Sequence, residues 1–351
     1  MTAQYPGGRR PPRRALPALA VLALLAGCGT DPAAPDRVAA PPSAPPPSVA
    51  APAVAPSASA PPAVMKAAAP RGGPVPFQAG RAMLGSYLAL DGMSLGESLA
   101  LRRRQLGRDQ RIVHVFYPWD GYVPSSEPAV DRASTLMVSW HGAPYAAIND
   151  GSSDRNIARV ARKLAGMKRP ILLRWGWEMN GDWFEWDGAH NGRDAAAYVK
   201  AWRRMHRIFR EQGAGNVAWV WSPNWNSAPN ASWNRFQRYY PGDGYVDWVG
   251  VSGYDFYSET PRTLFTAVCE AYGKRKPIIL SETAAVDGGA IGKAEWIGKL
   301  KSWVEDTPAV GAVVWFDTDT QEDSPHDFRP DSDRGTLAAY REMARSERFS
   351  G

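Results

Sequence analysis

The segment Pro170-Ile-Leu-Leu-Arg174-Trp-Gly-Trp-Glu178-Met-Asn-Gly-Asp-Trp183 joins a short apolar run to a cluster of tryptophans around one carboxylate. A short run that is apolar throughout is typical of a strand buried on both faces of a sheet. Comparable runs recur on both sides of it, at residues 84–90, 112–119, 135–141, 216–222, 246–254, 277–282 and 310–317. Helical patterns occupy several of the intervals, at residues 156–165, 194–212, 264–272 and 294–305. This alternation predicts a parallel α/β fold.

Eight strand and helix units in about 270 residues fit a single (β/α)8 TIM barrel. A doubly wound sheet, the alternative, usually has fewer strands and a glycine-rich phosphate-binding turn after the first one. Here Leu90-Asp91-Gly92 follows the first run, and the chain contains neither G-x-G-x-x-G nor G-x-x-x-x-G-K-[ST]. We therefore expect a TIM barrel that binds no nucleotide, with its functional residues at the carboxyl ends of the strands.

The first 75 residues differ in composition from the rest of the chain. Residues 1–27 combine four arginines with an apolar run at residues 15–26, the pattern of a secretory signal. The ending Leu25-Ala26-Gly27-Cys28 resembles a bacterial lipobox, which implies cleavage before Cys28 and lipidation of that residue. An ordinary cleaved signal is the alternative. Residues 29–75 contain 13 Pro and 15 Ala but no aromatic residue, a composition that indicates a disordered, extended linker.

These features divide the chain into three segments. We expect a lipoprotein signal peptide at 1–27, the lipidated Cys28 with a disordered Pro/Ala-rich linker at 28–75, and one folded domain at 76–351. The protein is then secreted and lipid-anchored to the bacterial cell envelope or cell surface, and its only contact with the membrane is the N-terminal lipid. We expect the folded domain to be a monomer.

The net charge of +6 excludes a nucleic-acid partner once its distribution is considered. Residues 1–28 carry +4 and residues 29–75 carry +1, which leaves +1 for residues 76–351.

The five histidines lack the spacing of metal ligands, and the acidic segment 317–333 does not match the calcium-loop pattern. We therefore predict no metal and no other cofactor. The two cysteines, Cys28 and Cys269, do not provide a disulfide framework.

Two glutamates follow apolar runs, Glu178 after the fourth and Glu282 at the end of the seventh. In an eight-stranded barrel these positions face each other across the mouth. Glycosidic cleavage requires such a pair, one carboxyl protonated and the other ionised. Tryptophans around Glu178 disfavour its charged form, as a general acid requires. Arg174 and the Tyr254 hydroxyl are placed to hold Glu282 ionised, although the spacing leaves open which carboxylate Arg174 approaches.

Aromatic residues at the strand ends favour a carbohydrate ligand, because sugar rings present an apolar face that stacks on flat side chains. The candidate platforms are Trp119, Trp140, Trp183, Trp186, Trp221, Trp225 and Trp315. His141 and Asn224, at neighbouring strand ends, supply hydrogen-bonding groups, and Arg174 and Trp177 flank the site of Glu178. A nearly neutral domain with aromatic and hydrogen-bonding residues at its strand ends indicates an uncharged polysaccharide as substrate.

The quoted segment is similar to the R-x-x-H-E-M-N-G-x-W segment of glycoside hydrolase family 26, the family of many β-mannanases. Residues 277–282 resemble the nucleophile strand of that family, and residues 240–250 followed by Tyr254 resemble its sixth-strand region. The resemblance, over about residues 76–346, implies a retaining endo-β-glycanase acting on β-1,4-mannan-type polysaccharide. It assigns Glu178 as acid/base, Glu282 as nucleophile and Tyr254 as the hydrogen-bond partner of the nucleophile. It also implies substrate contacts from Trp183, Trp315 and His141.

One departure from the family pattern keeps other substrates open. Trp177 stands where the family commonly has His directly before the acid/base, and an indole offers one donor and no acceptor. Mixed-linkage β-glucan and β-1,3-xylan are therefore alternatives to mannan, as is the cell's own exopolysaccharide. A hypothesis of another class is a surface lipoprotein that binds polysaccharide without cleaving it.

Overall fold

The computed structural model describes residues 71–287, 291–319 and 326–351. Eight parallel strands form a closed barrel in chain order, and β1 pairs with both β2 and β8. The strands are β1 Met83–Ala89, β2 Ile112–Tyr117, β3 Thr135–Trp140, β4 Ile171–Trp175, β5 Val217–Trp221, β6 Trp248–Asp255, β7 Ile278–Ala285 and β8 Val310–Thr318. Each overlaps one predicted run, and the predicted TIM barrel is confirmed.

Seven α-helices surround the barrel in the described part of the chain. They are α1 Leu95–Leu106, α2 Tyr145–Asn149, α3 Asp154–Gly166, α4 Ala195–Glu211, α5 Pro261–Tyr272, α6 Lys293–Glu305 and α7 Arg334–Arg345. The Asp194 side chain caps α4 by accepting from the backbone N–H groups of Ala196 and Ala197. Two connections depart from the simple βα repeat. The β2–β3 connection contains no α-helix, and short 3₁₀ turns replace one between β5 and β6.

Strand alternation decides which side chains enter the barrel. On β4, Arg174 points inward, whereas Trp175 points outward and stacks on Tyr198 of α4, with ring centroids 5.5 Å apart. The same parity buries other tryptophans between the barrel and its helices, namely Trp140, Trp221 and Trp315. Tryptophans at strand ends therefore mostly build the outer core and not the mouth of the barrel.

An N-terminal strap, residues 71–77, closes the end of the barrel where the strands begin. Val75 is 1% exposed and packs into the apolar lower barrel with residues such as Leu172 and Ile279. The indole N–H of Trp248 donates to the carbonyl oxygens of Gly72 and Val75, at 2.9 and 3.0 Å. The described structure packs residues 71–75 against the barrel, and so extends it to the N-terminal side of the predicted boundary at residue 76.

The remaining N-terminal features, namely the signal peptide, Cys28 and most of the linker, lie outside the described residues. Within those described, no helix combines the length and the apolar character that a membrane span requires.

Starting the chain at residue 78 instead of residue 71 is expected to destabilise the domain by about 2 kcal/mol or more. The truncation removes the buried Val75 and leaves the Trp248 indole N–H without its acceptors, each a loss of at least about 1 kcal/mol. Denaturant unfolding of the two truncated chains measures the difference. Equal free energies of unfolding would show that the strap does not stabilise the barrel.

Candidate active site

Glu178 and Glu282 meet at the end of the barrel where the strands finish, as the sequence predicts. Both are 8% exposed, and the fully buried Arg174 lies beneath them. Its Nη1 atom lies 2.6 Å from Glu282 Oε2, and its Nη2 atom lies 3.7 Å from Glu178 Oε1. One guanidinium therefore serves both carboxylates and holds Glu282 more closely, which answers the question that the spacing left open.

A bulge in β7 directs Glu282 into the barrel. Val251 of β6 pairs with Leu280, but the next residue, Ser252, pairs with Glu282, so Ser281 is extra. Ser281 Oγ lies 2.7 Å from Ser222 Oγ, while Glu282 contacts Arg174. Two consecutive side chains thus face the interior, which a regular strand does not allow. The bulge brings the carboxylate to its partner.

Glu178 has a backbone conformation that is unusual for a residue with a side chain. Its φ is +55°, and the nearby Gly176 has φ +48°. The Glu178 N–H donates to the carbonyl oxygen of Ser222 at 2.8 Å, and its own carbonyl accepts from Gly181 at 2.7 Å. Glycine enters this left-handed region at lower cost. A carboxylate held there by the surrounding backbone is typical of a functional position.

A layer of buried hydroxyl groups positions Arg174. The guanidinium donates from Nε to Ser222 Oγ at 3.1 Å, from Nη1 to Ser139 Oγ at 3.3 Å and from Nη2 to Ser252 Oγ. Ser139 Oγ also lies 2.7 Å from His114 Nε2. These contacts leave the guanidinium little freedom to turn. These serines were not among the predicted site residues. Ser139 lies on β3, Ser252 on β6 and Ser222 directly after β5, and their inward-facing positions were the available signal.

The two carboxylates have different surroundings. Burial, and then the charge of Glu282, raise the pKa of Glu178 to about 7. The Trp183 indole donates to Glu178 Oε2 at 3.0 Å. Glu282 Oε1 accepts from the Tyr254 hydroxyl at 2.6 Å, and burial raises the pKa of that phenol well above its usual value. Glu178 is thus suited to carry a proton near neutral pH, and Glu282, which accepts from a guanidinium and a phenol, is suited to act as a carboxylate.

Above the carboxylates lies a cleft of about 550 Å³. Its walls are formed by Glu178, Trp183, Phe184, Asn224, Trp225, Asn226, Ala228, Tyr254, Phe256, Tyr257, Glu259, Glu282 and Phe328. The candidates brought together here are Glu178, Glu282, Trp183, Tyr254 and Asn224, with Arg174 directly below. Their roles toward a substrate remain predictions, but their common location is a feature of the structure.

Two buried polar side chains shape the walls of the cleft. Asn180, fully buried, accepts from the Asn224 N–H at 2.8 Å and donates to the carbonyls of Asn224 and Asn226. Asp187 Oδ2 accepts from the backbone N–H groups of Trp183 and Phe184, both at 2.8 Å. These bonds hold the segment carrying Trp183 against Glu178 and fix the wall that contains Asn224.

A second aromatic wall, which the sequence analysis missed, follows β6. Tyr257 is 80% exposed and Phe256 is 36% exposed. Glu259 accepts from the backbone N–H groups of both, at 2.9 and 3.1 Å, and so stabilises the turn. The run of aromatic residues directly after the sixth strand was the signal that pointed to this wall.

Trp177 and His141 lie beside the cleft and are absent from its described lining. The Trp177 ring, 4% exposed, packs over the Arg174 guanidinium at 5.1 Å. The half-buried His141 ring lies 5.4 Å from the Trp177 ring, and burial lowers the pKa of His141. Trp177, which stands where a His commonly precedes the acid/base, therefore covers the Arg174 guanidinium below the two carboxylates.

The structure contradicts the expected substrate contact of Trp315. This residue is fully buried, its indole donates to the Phe328 carbonyl at 2.7 Å, and its ring packs against Tyr340 of α7. The prediction is wrong because Trp315 occupies an outward position on β8, and the next residue, Phe316, is the one that faces Tyr254.

Trp119 is also placed away from the cleft. Its half-buried ring stacks on the outward-facing Trp140 with centroids 4.4 Å apart, and the described cleft lining does not include it. From this position Trp119 does not contact a substrate bound between Glu178 and Glu282.

Three aspartates of the acidic segment 317–333 contact arginine side chains. Asp317 and Asp331 both contact the buried Arg102, at 2.5 and 2.7 Å, and Asp327 contacts Arg329 at 2.6 Å. The described residues contain no group of three side chains suited to hold a metal ion.

Comparison with known proteins supports the chemistry that this geometry suggests. The chain is 32% identical over 254 residues to Endoglucanase H of Acetivibrio thermocellus, which covers 67% of this chain and 27% of that protein. It is 31% identical over 166 residues to mannan endo-1,4-beta-mannosidase A and B of Caldalkalibacillus mannanilyticus, which covers 45% of this chain and 29% of that protein. The chain thus spans less than a third of the length of either relative.

A solved GH26 beta-mannanase from Bacteroides ovatus has the same fold, with a TM-score of 0.55 at 20% identity over 76% of this chain and 89% of that one. The model of glycosyl hydrolase family 26 matches residues 125–325, more than half of the chain. The chain belongs to glycosyl hydrolase family 26.

Proposed function

We propose that the protein is a retaining endo-β-glycanase that hydrolyses β-1,4-mannan-type polysaccharide by double displacement. Glu282 attacks the anomeric carbon and forms a glycosyl ester, while Glu178 gives its proton to the departing glycosidic oxygen. Water then attacks the ester and transfers a proton to Glu178. The observation that supports this proposal is the buried Arg174, which contacts both carboxylates and binds Glu282 at 2.6 Å.

The same contacts explain how Glu178 changes from acid to base. The charge of Glu282 helps to raise the pKa of Glu178 in the free enzyme. Ester formation removes that charge, while the Arg174 guanidinium stays near Glu178. Both effects favour the ionised form of Glu178 in the intermediate, where a general base is needed.

Mannan is the first candidate substrate because relatives named as mannan endo-1,4-beta-mannosidases match the chain and the cleft combines aromatic walls with amide groups. Mixed-linkage β-glucan is the second. It is favoured by the similarity to Endoglucanase H. Reducing ends released from mannan, glucomannan, lichenan and β-1,3-xylan distinguish the candidates. Release from none of them would favour a binding protein without activity.

Trp183→Phe is expected to shift the alkaline limb of the pH profile upward. The hydrogen bond from the Trp183 indole N–H favours the ionised form of Glu178. Its loss therefore raises the pKa of Glu178 above the value of about 7 in the parent enzyme. Activity requires the protonated acid and falls as the pH rises through this pKa; the limb therefore moves to higher pH. The pH dependence of kcat/KM measures it, and an unchanged or lower limb would contradict the assigned acid.

We also propose that the enzyme is secreted and lipid-anchored through Cys28. The support is the basic, apolar and lipobox-like order of residues 1–28. Labelling of the expressed full chain with radioactive palmitate tests the proposal, and Cys28→Ser is expected to abolish the label. Equal labelling of both chains would contradict it.

A further inference from the structure

Two neighbouring helices concentrate positive charge on one side of the barrel. Helices α3 and α4 pack against each other and together carry nine basic and two acidic side chains, a charge of +7. Residues 76–351 as a whole carry only +1, so the remainder of that segment carries −6. A nearly neutral domain is therefore strongly polarised, and its basic side is distinct from the cleft.

The exposed edge of α4 borders two neighbouring depressions, which together we call the basic track. Its first half is lined by Arg193, Lys200, Arg203 and Arg238, with Asp194 as the acidic residue. Its second half is lined by Arg203, Arg204, Arg207, Arg210 and Tyr245. The two halves share Arg203. At 1.5 Å per helical residue the track extends for about 25 Å.

Most cations of the basic track have no carboxylate partner. Lys200, Arg210 and Arg238 are exposed, and within the described residues none of them forms an ion pair. Some basic side chains elsewhere on the surface are paired, as in Arg275 with Asp243 at 2.9 Å. The charge of the track is therefore available to a ligand.

Two guanidinium groups of the track are already ordered. Arg193 lies over the Trp233 ring at 5.5 Å, and Arg203 lies over the Tyr245 ring at 5.0 Å while donating to the Pro241 carbonyl. Stacking fixes the plane of an arginine and leaves edge donors for a carboxylate, sulfate or phosphate. It also covers the rings that a nucleic-acid base would need for stacking.

We propose that the basic track binds an anionic polysaccharide, a chain whose sugars carry carboxylate, sulfate or phosphate groups. The two depressions follow each other along α4, an arrangement that fits a linear polymer, whereas a bilayer presents a flat surface. The site includes none of the residues that line the cleft, so binding there is independent of glycosidic cleavage. An enzyme held in this way stays in an acidic matrix while its cleft acts on a neutral chain.

Binding of the purified full chain to immobilised polygalacturonate, at about 50 and 200 mM salt, tests this proposal. The variant K200Q/R210Q/R238Q removes three exposed cations of the track that make no side-chain hydrogen bond among the described residues. A matched control, R104Q/K274Q/R345Q, removes three exposed cations elsewhere. We expect the track variant to bind about tenfold more weakly at the lower salt, with a shallower salt dependence, and the control to bind like the parent.

Both variants are expected to keep the parent thermal unfolding temperature and the parent activity on neutral polymer. Failure of the parent to bind polygalacturonate, or an equal loss in the two variants, would overturn the proposal. Two further ligands, a thymidine oligonucleotide and phosphatidylglycerol vesicles, are measured in the same way. The proposal would also be overturned if the parent bound either of them more tightly than polygalacturonate and the track variant lost that binding.

Discussion

Replacing Glu282 with alanine is expected to lower kcat on the polymer by at least about 10⁴-fold, because the other two carboxylates of the described cleft lining have different roles: Glu178 donates the proton and Glu259 holds the turn after β6. The side chain is 8% exposed and lies below the aromatic walls, so affinity for the polymer should change little. Initial rates and an independent binding measurement on the same variant separate the two effects. Added azide should restore turnover and release a glycosyl azide of inverted configuration, because the anion occupies the space of the missing carboxylate.

Glu185→Ala is the matched control for this variant. Glu185 is exposed and lies in the same loop as Glu178, but it belongs to neither the cleft lining nor the contacts of Arg174. It should retain nearly full activity. Hydrolysis by the Glu282 variant at a rate close to that of the control would remove Glu282 from the reaction.

Replacing Glu178 with alanine is expected to lower kcat/KM on the polymer by about 10² to 10⁴-fold, the usual contribution of a general acid. An activated aryl glycoside needs little protonation of its leaving group, so its first step should proceed and release a burst of phenol. The second step then limits turnover, because the general base is missing. Stopped-flow measurement of phenol release checks this. A burst rate on the aryl glycoside that falls by the same factor as kcat/KM on the polymer would contradict the role of Glu178.

The alkaline limb of the pH profile provides a linked check on the same residue. In the parent enzyme it should lie near the raised pKa of Glu178, about 7, since burial and the charge of Glu282 both favour the protonated form. The first step of the Glu178 variant on the aryl glycoside should lack this limb.

The barrel could be predicted because its strands are buried on both faces and so appear as short apolar runs. The positions of Glu178 and Glu282 followed directly, since each glutamate comes where such a run ends. The strap could not be predicted from composition, because residues 71–75 contain Gly and Pro, continue the Pro/Ala-rich linker and include one apolar side chain, Val75, that fills the barrel.

The tryptophans show where reasoning from strand ends was insufficient. Position along a strand places a residue near the mouth, but parity decides whether it faces the mouth or the helices. Trp315 shares the outward parity of Trp175 and is therefore buried behind the cleft. Parity alone would also have misplaced one of the pair Ser281 and Glu282, because the β7 bulge turns both inward. Such a bulge depends on the pairing of β7 with its neighbours, which the local sequence does not reveal.

The anomeric configuration of the first product tests the double-displacement mechanism most directly. Proton NMR of a mannan oligosaccharide digest, recorded before mutarotation equilibrates the anomers, follows the newly formed reducing end. Two displacements at the anomeric carbon, by Glu282 and then by water activated by Glu178, predict that the β-anomer appears first. Initial appearance of the α-anomer would show a single displacement and would contradict the assignment of Glu282 as nucleophile.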